Sequence, residues 1–383
     1  MPSSNTCFGA ALRREWLLED GTAYLNHGSF GACPRRVLAA QERWRERMER
    51  QPVRFLDREL PGLLDRAAGH LAAFVGARAR DLVFVDNATS AVNAVVGSVD
   101  LGPGDEVVVG SQAYPAVVRT LERARDLRGA RLVVAEVPFP LEGPEQVVEA
   151  YRAVLGPRTR LVVVDHITSA TAVIQPVGAV VELCRLHQVP VLVDGAHAPG
   201  QVALDLEALG ADYYTGNAHK WLFAPKGCAL LWARPERQPG LHSLVVSHGT
   251  RWREAFHWQG TRDPSAWLAV TEALSFVDEL GVAAVQEHNR SLAEQAGCLL
   301  ALAWGLDLPV PAAMRAAMCT LPAPGVNEGT PRAARALHDA LWREHRIEVP
   351  VFGFAGRCWI RISAQVYNDL AQYQRLADAL VPR

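Results

Sequence analysis

Seven short apolar runs, separated by stretches of helical periodicity, occupy residues 80–235 and restrict the fold more than any other feature. The runs are DLVFV (81–85), DEVVVG (105–110), RLVVAEV (131–137), RLVVVD (160–165), VPVLVD (189–194), ADYYTG (211–216) and CALLWA (228–233). Several are continuously apolar instead of alternating, so their strands bury both faces. Between them lie SAVNAVVGSV, PAVVRTLERARDL, PEQVVEAYRAVLG and VGAVVELCRLHQ, whose apolar residues recur at helical spacing. Strands alternating with helices make βαβ units. They predict an α/β domain of three layers, with a mostly parallel seven-stranded sheet between helices.

The strand-rich stretch ends at the turn-rich ARPERQPG, and helical periodicity returns in residues 265–304. After the Pro/Ala-rich LPVPAAMRAAM, a helix at PRAARALHDALWREH and a strand at CWIRIS predict a small C-terminal α+β domain. The expected division is an N-terminal segment 1–20, a large domain 21–270 and a small domain 271–383. The helix VLAAQERWRERMERQ is expected to pack outside the main sheet.

With 39 Lys+Arg against 41 Asp+Glu, the chain has no charge excess that would suit nucleic acid or a membrane surface. No run reaches the ~18 apolar residues of a membrane helix, and the N-terminus lacks the apolar core of a secretory signal. The seven cysteines (Cys7, Cys33, Cys184, Cys228, Cys298, Cys319 and Cys358) are scattered, odd in number and form no CxxC pair. A reducing cytoplasm is expected, with neither a disulfide framework nor a metal site.

Only two of the 39 basic residues are lysines, Lys220 and Lys226, leaving 37 arginines. An amine can shed its proton and form a Schiff base, which a guanidinium practically cannot. Ligands of open α/β sheets bind at the carboxyl ends of the strands. Those ends carry Asp194-Gly-Ala-His197, Asn217-Ala-His219-Lys220-Trp221, Asp86-Asn87-Ala88-Thr89-Ser90, Ser111-Gln-Ala-Tyr114 and His166-Ile-Thr168-Ser169. They combine a lysine, an acid, a helix start suited to phosphate and an aromatic ring. Pyridoxal phosphate needs this set: an amine for its aldehyde, a carboxylate for its ring nitrogen, a helix N-terminus for its phosphate and a ring to cover its face. Tyr114 can equally be an aromatic packed at a helix start, Asn87 a cap, and His166 and Thr168 local hydrogen-bonding groups.

The motifs YLNHGSFG, DNATSAVNAV, DHITSATAVIQPV, LVDGAHAPG, TGNAHKW, WQGTRDP and WIRISAQVYND run in order along nearly the whole chain. Together they resemble fold-type I pyridoxal-phosphate enzymes of the class V aminotransferase-like family, in the isopenicillin N epimerase-like branch. The resemblance implies that Lys220 carries the cofactor, Asp194 faces the pyridine nitrogen and His197 lies near the phenolic oxygen. It further implies that Ala88 (through its backbone), Thr89, His219 and Asn217 hold phosphate, and that Tyr114 stacks on the ring. Ser169 falls among the cofactor contacts, where cysteine desulfurases carry Asn. Thr261 corresponds to a residue that reaches the phosphate of the neighbouring subunit, which implies a homodimer. Arg361 corresponds to the clamp on the substrate carboxylate. Asn26 and His27 are expected at the substrate entrance, with His27 either a contact or a loop residue.

The catalytic-cysteine loop of desulfurases is absent, since Cys358 lies within the expected strand. The implied chemistry is removal of the Cα hydrogen of an amino acid. An epimerase or racemase comes first, a C–S (β-elimination) lyase or an aminotransferase second. A binding protein with a degenerate site would have no reason to keep Lys220 with Asp194.

Overall fold

The structure, a computed structural model, describes residues 8–380, and Cys7 lies outside the described residues. All seven expected runs form strands: β1 (Leu82–Val85), β2 (Glu106–Gly110), β3 (Arg131–Ala135), β4 (Thr159–Asp165), β5 (Val191–Asp194), β6 (Tyr213–Asn217) and β7 (Ala229–Ala233). They make one sheet of order β1-β7-β6-β5-β4-β2-β3. Neighbours are parallel except at β7, which is antiparallel to both β1 and β6. The carboxyl ends of β1, β2, β4, β5 and β6 therefore share one edge.

The apolar runs bury two faces, as their composition requires. Val83, Val107, Val109, Val163 and Leu192 share one core with α3 (Ala88–Ser98) and α4 (Pro115–Arg128). The alternate residues Phe84, Val108, Val162 and Val193 enter a second core. There they meet α2 (Leu60–Phe74), α5 (Pro144–Arg152) and α6 (Val177–Leu186). Helix α1 (Arg35–Arg50) lies outside, its buried Gln41 reaching Ser265 at 3.2 Å. Helix α7 (Val270–Leu280) starts at the expected boundary yet keeps Val270, Ala273 and Leu274 in the core of the large body.

The chain crosses to a smaller body along α8 (Val282–Trp304). This body has a three-stranded antiparallel sheet of β8 (Met318–Pro322), β9 (Val351–Phe354) and β10 (Arg357–Ser363), ordered β9-β10-β8. It is packed by α8, α9 (Pro331–His345) and α10 (Leu370–Ala379). The early segment Ala23–Tyr24 pairs with Ile347–Glu348 and sends Ala23 and Leu25 into this core. The loop that follows thus hangs between the two bodies, over the shared strand edge. No described helix is long and apolar enough to cross a membrane.

Candidate active site

Lys220 follows β6 and is half-buried, with its Nζ 3.1 Å from His197 Nε2. Burial pushes its ammonium down to about 7, helped by the Arg361 guanidinium and opposed by Asp194. His197 is held neutral first by burial and then by Lys220. Its Nδ1 accepts from Trp221 Nε1–H at 3.5 Å, leaving Nε2–H to face the amine. Asp194 ends β5, where burial raises its carboxyl against the Ala196 N–H (2.9 Å) and Lys220. All three residues line a cavity of about 340 Å³ together with Ala88, Thr89, Tyr114, Ser169, Asn217 and His219.

A further acid was missed by sequence reasoning. Asp165 ends β4 in register with Asp194 and lines the same cavity. Burial, then the neighbouring Asp194, pushes its carboxyl well above the carboxylate range. Two buried carboxyls side by side cannot both ionise, so one keeps its proton. An acid at the end of a parallel strand marked Asp194, and the same signal marks Asp165 one strand away.

The start of α3, the expected phosphate site, has partly occupied N–H groups. Asn87 Oδ1 caps it, accepting from Ser90 N–H at 2.9 Å. The Ala88 N–H, expected to be open to phosphate, instead donates to Asn217 Oδ1 at 2.9 Å. This corrects the expected backbone role of Ala88 and makes Asn217 a brace between β6 and α3. The Thr89 N–H still has no intrahelical acceptor, and its hydroxyl stands beside it. His219 Nδ1–H donates to the Cys228 carbonyl at 2.9 Å. Burial lowers its pKa to about 4, so Nε2 becomes a second donor only when an anion stabilises the imidazolium.

Arg361, on β10, is 4 % exposed and has no carboxylate partner. Its Nη1 donates to the Ser169 carbonyl and hydroxyl, and its Nη2 to Ser29 Oγ at 3.1 Å. Its Nε is buried without a partner, and burial lowers the guanidinium to about 10. A guanidinium in this condition gains from an incoming carboxylate. It lines a second chamber that shares Ser29, Tyr114 and Ser169 with the first cavity.

The loop expected at the entrance does border the site, but through other residues. His27 is fully buried: its Nδ1 accepts from Tyr367 Oη at 2.7 Å, and its Nε2–H donates to the Lys220 carbonyl at 2.9 Å. With both ring nitrogens engaged among Trp221, Phe223 and Tyr367, it cannot reach substrate. Asn26 is buried too, its Nδ2 bonded to Glu348 Oε1 at 2.9 Å in the small body. Both expectations are thus corrected to structural roles, and Ser29 and Phe30 line the cavity instead. Gly31 explains the tight seat: at φ +68° a Cβ there would lie 2.2 Å from the His219 carbonyl oxygen. Lys226 Nζ clamps the Gly31 carbonyl at 2.6 Å. Thr261 is exposed and lines neither chamber. Cys358 is buried within β10, its Sγ 3.0 Å from the Glu328 carbonyl oxygen.

These residues fit pyridoxal phosphate. The amine of lowered pKa would meet the aldehyde, a strand-end carboxyl would meet the ring nitrogen, and the open helix start with Thr89 and His219 would hold the phosphate.

Comparison with known proteins agrees. Residues 31–376 match the family described as Aminotransferase class-V. Isopenicillin N epimerase of Amycolatopsis lactamdurans is 37 % identical over 393 residues, covering 97 % of each chain. L-cysteine desulfhydrase of Arabidopsis thaliana is 34 % identical, covering 94 % of this chain and 88 % of its own. Among solved structures, a cystine C–S lyase in complex with cysteine persulfide superposes with a TM-score of 0.82 at 22 % identity, over 94 % of this chain and 98 % of its own. The cysteine desulfurase of Thermococcus onnurineus NA1 gives 0.83 at 17 % identity, over 99 % and 98 %. The chain belongs to the class V aminotransferase family of pyridoxal-phosphate enzymes.

Proposed function

We propose that the protein is an amino-acid epimerase or racemase, similar to isopenicillin N epimerase, that removes the Cα hydrogen of an α-amino acid and returns a proton to the opposite face. The observation that carries this reading is a half-buried amine of pKa about 7 in a cavity joined to a buried arginine that has no carboxylate partner among the described residues. Bound pyridoxal phosphate supplies an electron sink for the Cα–H bond, provided a carboxylate keeps its ring nitrogen protonated. Asp194 is that carboxylate, because Asp165 beside it retains the shared proton. Lys220 is the base at Cα, poised to exchange protons near neutral pH. His197 holds the amine in place. Thr89 and His219 take the phosphate, while Asn217 fixes the helix start that presents Thr89.

Arg361 receives the substrate carboxylate, and Ser169 orients its guanidinium. Holding the carboxylate fixes which Cα bond faces Lys220. Tyr114 stands on the wall common to both chambers, covers the cofactor ring and is the protic group for the other face of Cα. A second reading, a C–S lyase, has support from the desulfhydrase relative, and the same Tyr114 then protonates the leaving group. The enzyme acts as a homodimer in the cytoplasm. The exposed Thr261, outside its own chain's cavities, supports the first point; six free cysteines among the described residues support the second.

The test is incubation of the holoenzyme with amino acids in heavy water. Deuterium at Cα together with loss of optical purity is the expected result. Release of pyruvate and ammonia selects the lyase, and conversion to an oxo acid selects transamination. An unexchanged Cα hydrogen with every amino acid tried removes the proposal.

A further inference from the structure

The chamber beyond Arg361 is a half-open cleft of about 650 Å³, far more than the two heavy atoms of a cysteine side chain fill. Pockets of roughly 300–1,000 Å³ hold ligands of drug-like size. Its position relative to the catalytic cavity is defined. It adjoins the cavity at Ser29, Tyr114 and Ser169, the lining residues common to both, and Arg361 lines it. For an amino acid with its carboxylate on Arg361 and its Cα before Lys220, the chamber is the adjoining space for a side chain.

The walls there are apolar and braced. Val118 from α4 and Phe352 and Phe354 from β9 line the chamber. Behind β9, the Phe139 ring meets Phe354 edge-on at 5.8 Å and Trp359 at 5.0 Å. Trp359 Nε1–H donates to the Phe354 carbonyl at 2.8 Å. Packing and a hydrogen bond thus hold the wall, as expected of a preformed subsite and not of a loose gap. At the rim Arg119 and Glu122 carry opposite charges, so the mouth does not select a charged tip.

We infer that the chamber is the side-chain subsite for an α-amino acid with an extended apolar body, longer than free cysteine and able to bear a larger group at the mouth. This rests on the Cα-proton reading above and specifies its substrate class. A small substrate leaves Phe352 and Phe354 wet, whereas each buried methylene contributes about 0.8 kcal/mol, close to a fourfold gain in affinity per methylene.

The test is Cα-hydrogen exchange in heavy water, followed by NMR on the holoenzyme, for L-alanine, L-cysteine, L-norleucine, L-homophenylalanine and S-benzyl-L-cysteine. The expected kcat/KM for homophenylalanine and S-benzylcysteine is ~100-fold above that for alanine and cysteine. The variant Val118→Trp, on the partly exposed side of α4, fills the chamber and lowers the ratio of long to short substrates at least ~10-fold. Phe354→Ala, which removes part of the β9 wall, lowers the same ratio should the tryptophan distort the helix. Equal or faster exchange of alanine and cysteine overturns the inference while leaving the Cα chemistry standing. An unchanged ratio in both variants overturns it as well. Exchange of none of the five compounds, with cofactor absorbance intact, overturns the Cα-proton reading and this inference with it.

Discussion

Lys220 owes its chemistry to where it is buried. A solvated lysine has a pKa of about 10.4, so only about 0.4 % of it is neutral at pH 8. Burial and the Arg361 charge bring this amine to about 7, and the nearby Asp194 recovers only part of the shift. The sign follows from the neutral form being the nucleophile. Reactivity is full above pH 8 and is lost as pH falls through 7. Apoprotein mixed with pyridoxal phosphate should therefore take it up at a rate half-maximal near pH 7 and flat above pH 8, read by stopped-flow absorbance. A rate still climbing between pH 9 and 10 would mean an unshifted amine. Asp194 and Asp165 show the converse. Their burial favours the neutral acid, and their adjacency makes the first charge oppose the second.

At the scale of elements, the segment from Asn26 to Gly31 joins the two bodies and seats the lysine turn. His27 donates to the Lys220 carbonyl, Lys226 holds the Gly31 carbonyl, and Asn26 ties the segment to Glu348. Replacing His27 by Ala removes a ring packed among three aromatic residues and leaves the Lys220 carbonyl only the 3.4 Å bond from the Phe223 N–H. The expected loss is roughly 3–5 kcal/mol, read as a lower denaturant midpoint, with KM for the amino acid within twofold. A raised KM at unchanged stability would return His27 to the substrate. The contrast with the strands shows what a sequence exposes. Runs such as RLVVVD bury both faces, so composition alone marks them, and the carboxyl-end rule then places Lys220, Asp194, His197, Tyr114 and Ser169 at one cavity. Strand β9 is half-exposed around Gly353 and β8 follows an alanine-rich stretch, so neither carries a two-faced apolar signal. The inward turn of Asn26 and His27 depends on partners more than 190 positions away, Lys220, Glu348 and Tyr367. No local pattern encodes such partners. The Ala88 N–H is likewise occupied by Asn217 from another strand.

Across the whole molecule, the two adjoining cavities draw on both bodies: Lys220 and Asp194 from the large one, and Arg361 from the small one. Thr261 alone among the expected cofactor residues is exposed and lines neither cavity of its own chain, as the proposed dimeric site requires. Loss of one hydroxyl bond to a phosphate costs about 1.5–3 kcal/mol, so Thr261→Val should weaken cofactor affinity ~10- to 100-fold. Mixed dimers decide whether that hydroxyl acts across the interface. In a hybrid of one Lys220→Ala chain and one Thr261→Val chain, action across the interface places both lesions in the same site. The other site then keeps an intact lysine and an intact threonine. Such hybrids should bind one cofactor per dimer with wild-type affinity and recover about half the wild-type turnover, measured on differentially tagged, purified heterodimers. Action within one chain would instead give each site its own lesion, so that no tight site and no recovered turnover remain. That outcome would remove both the proposed dimeric site and the role of Thr261 in it.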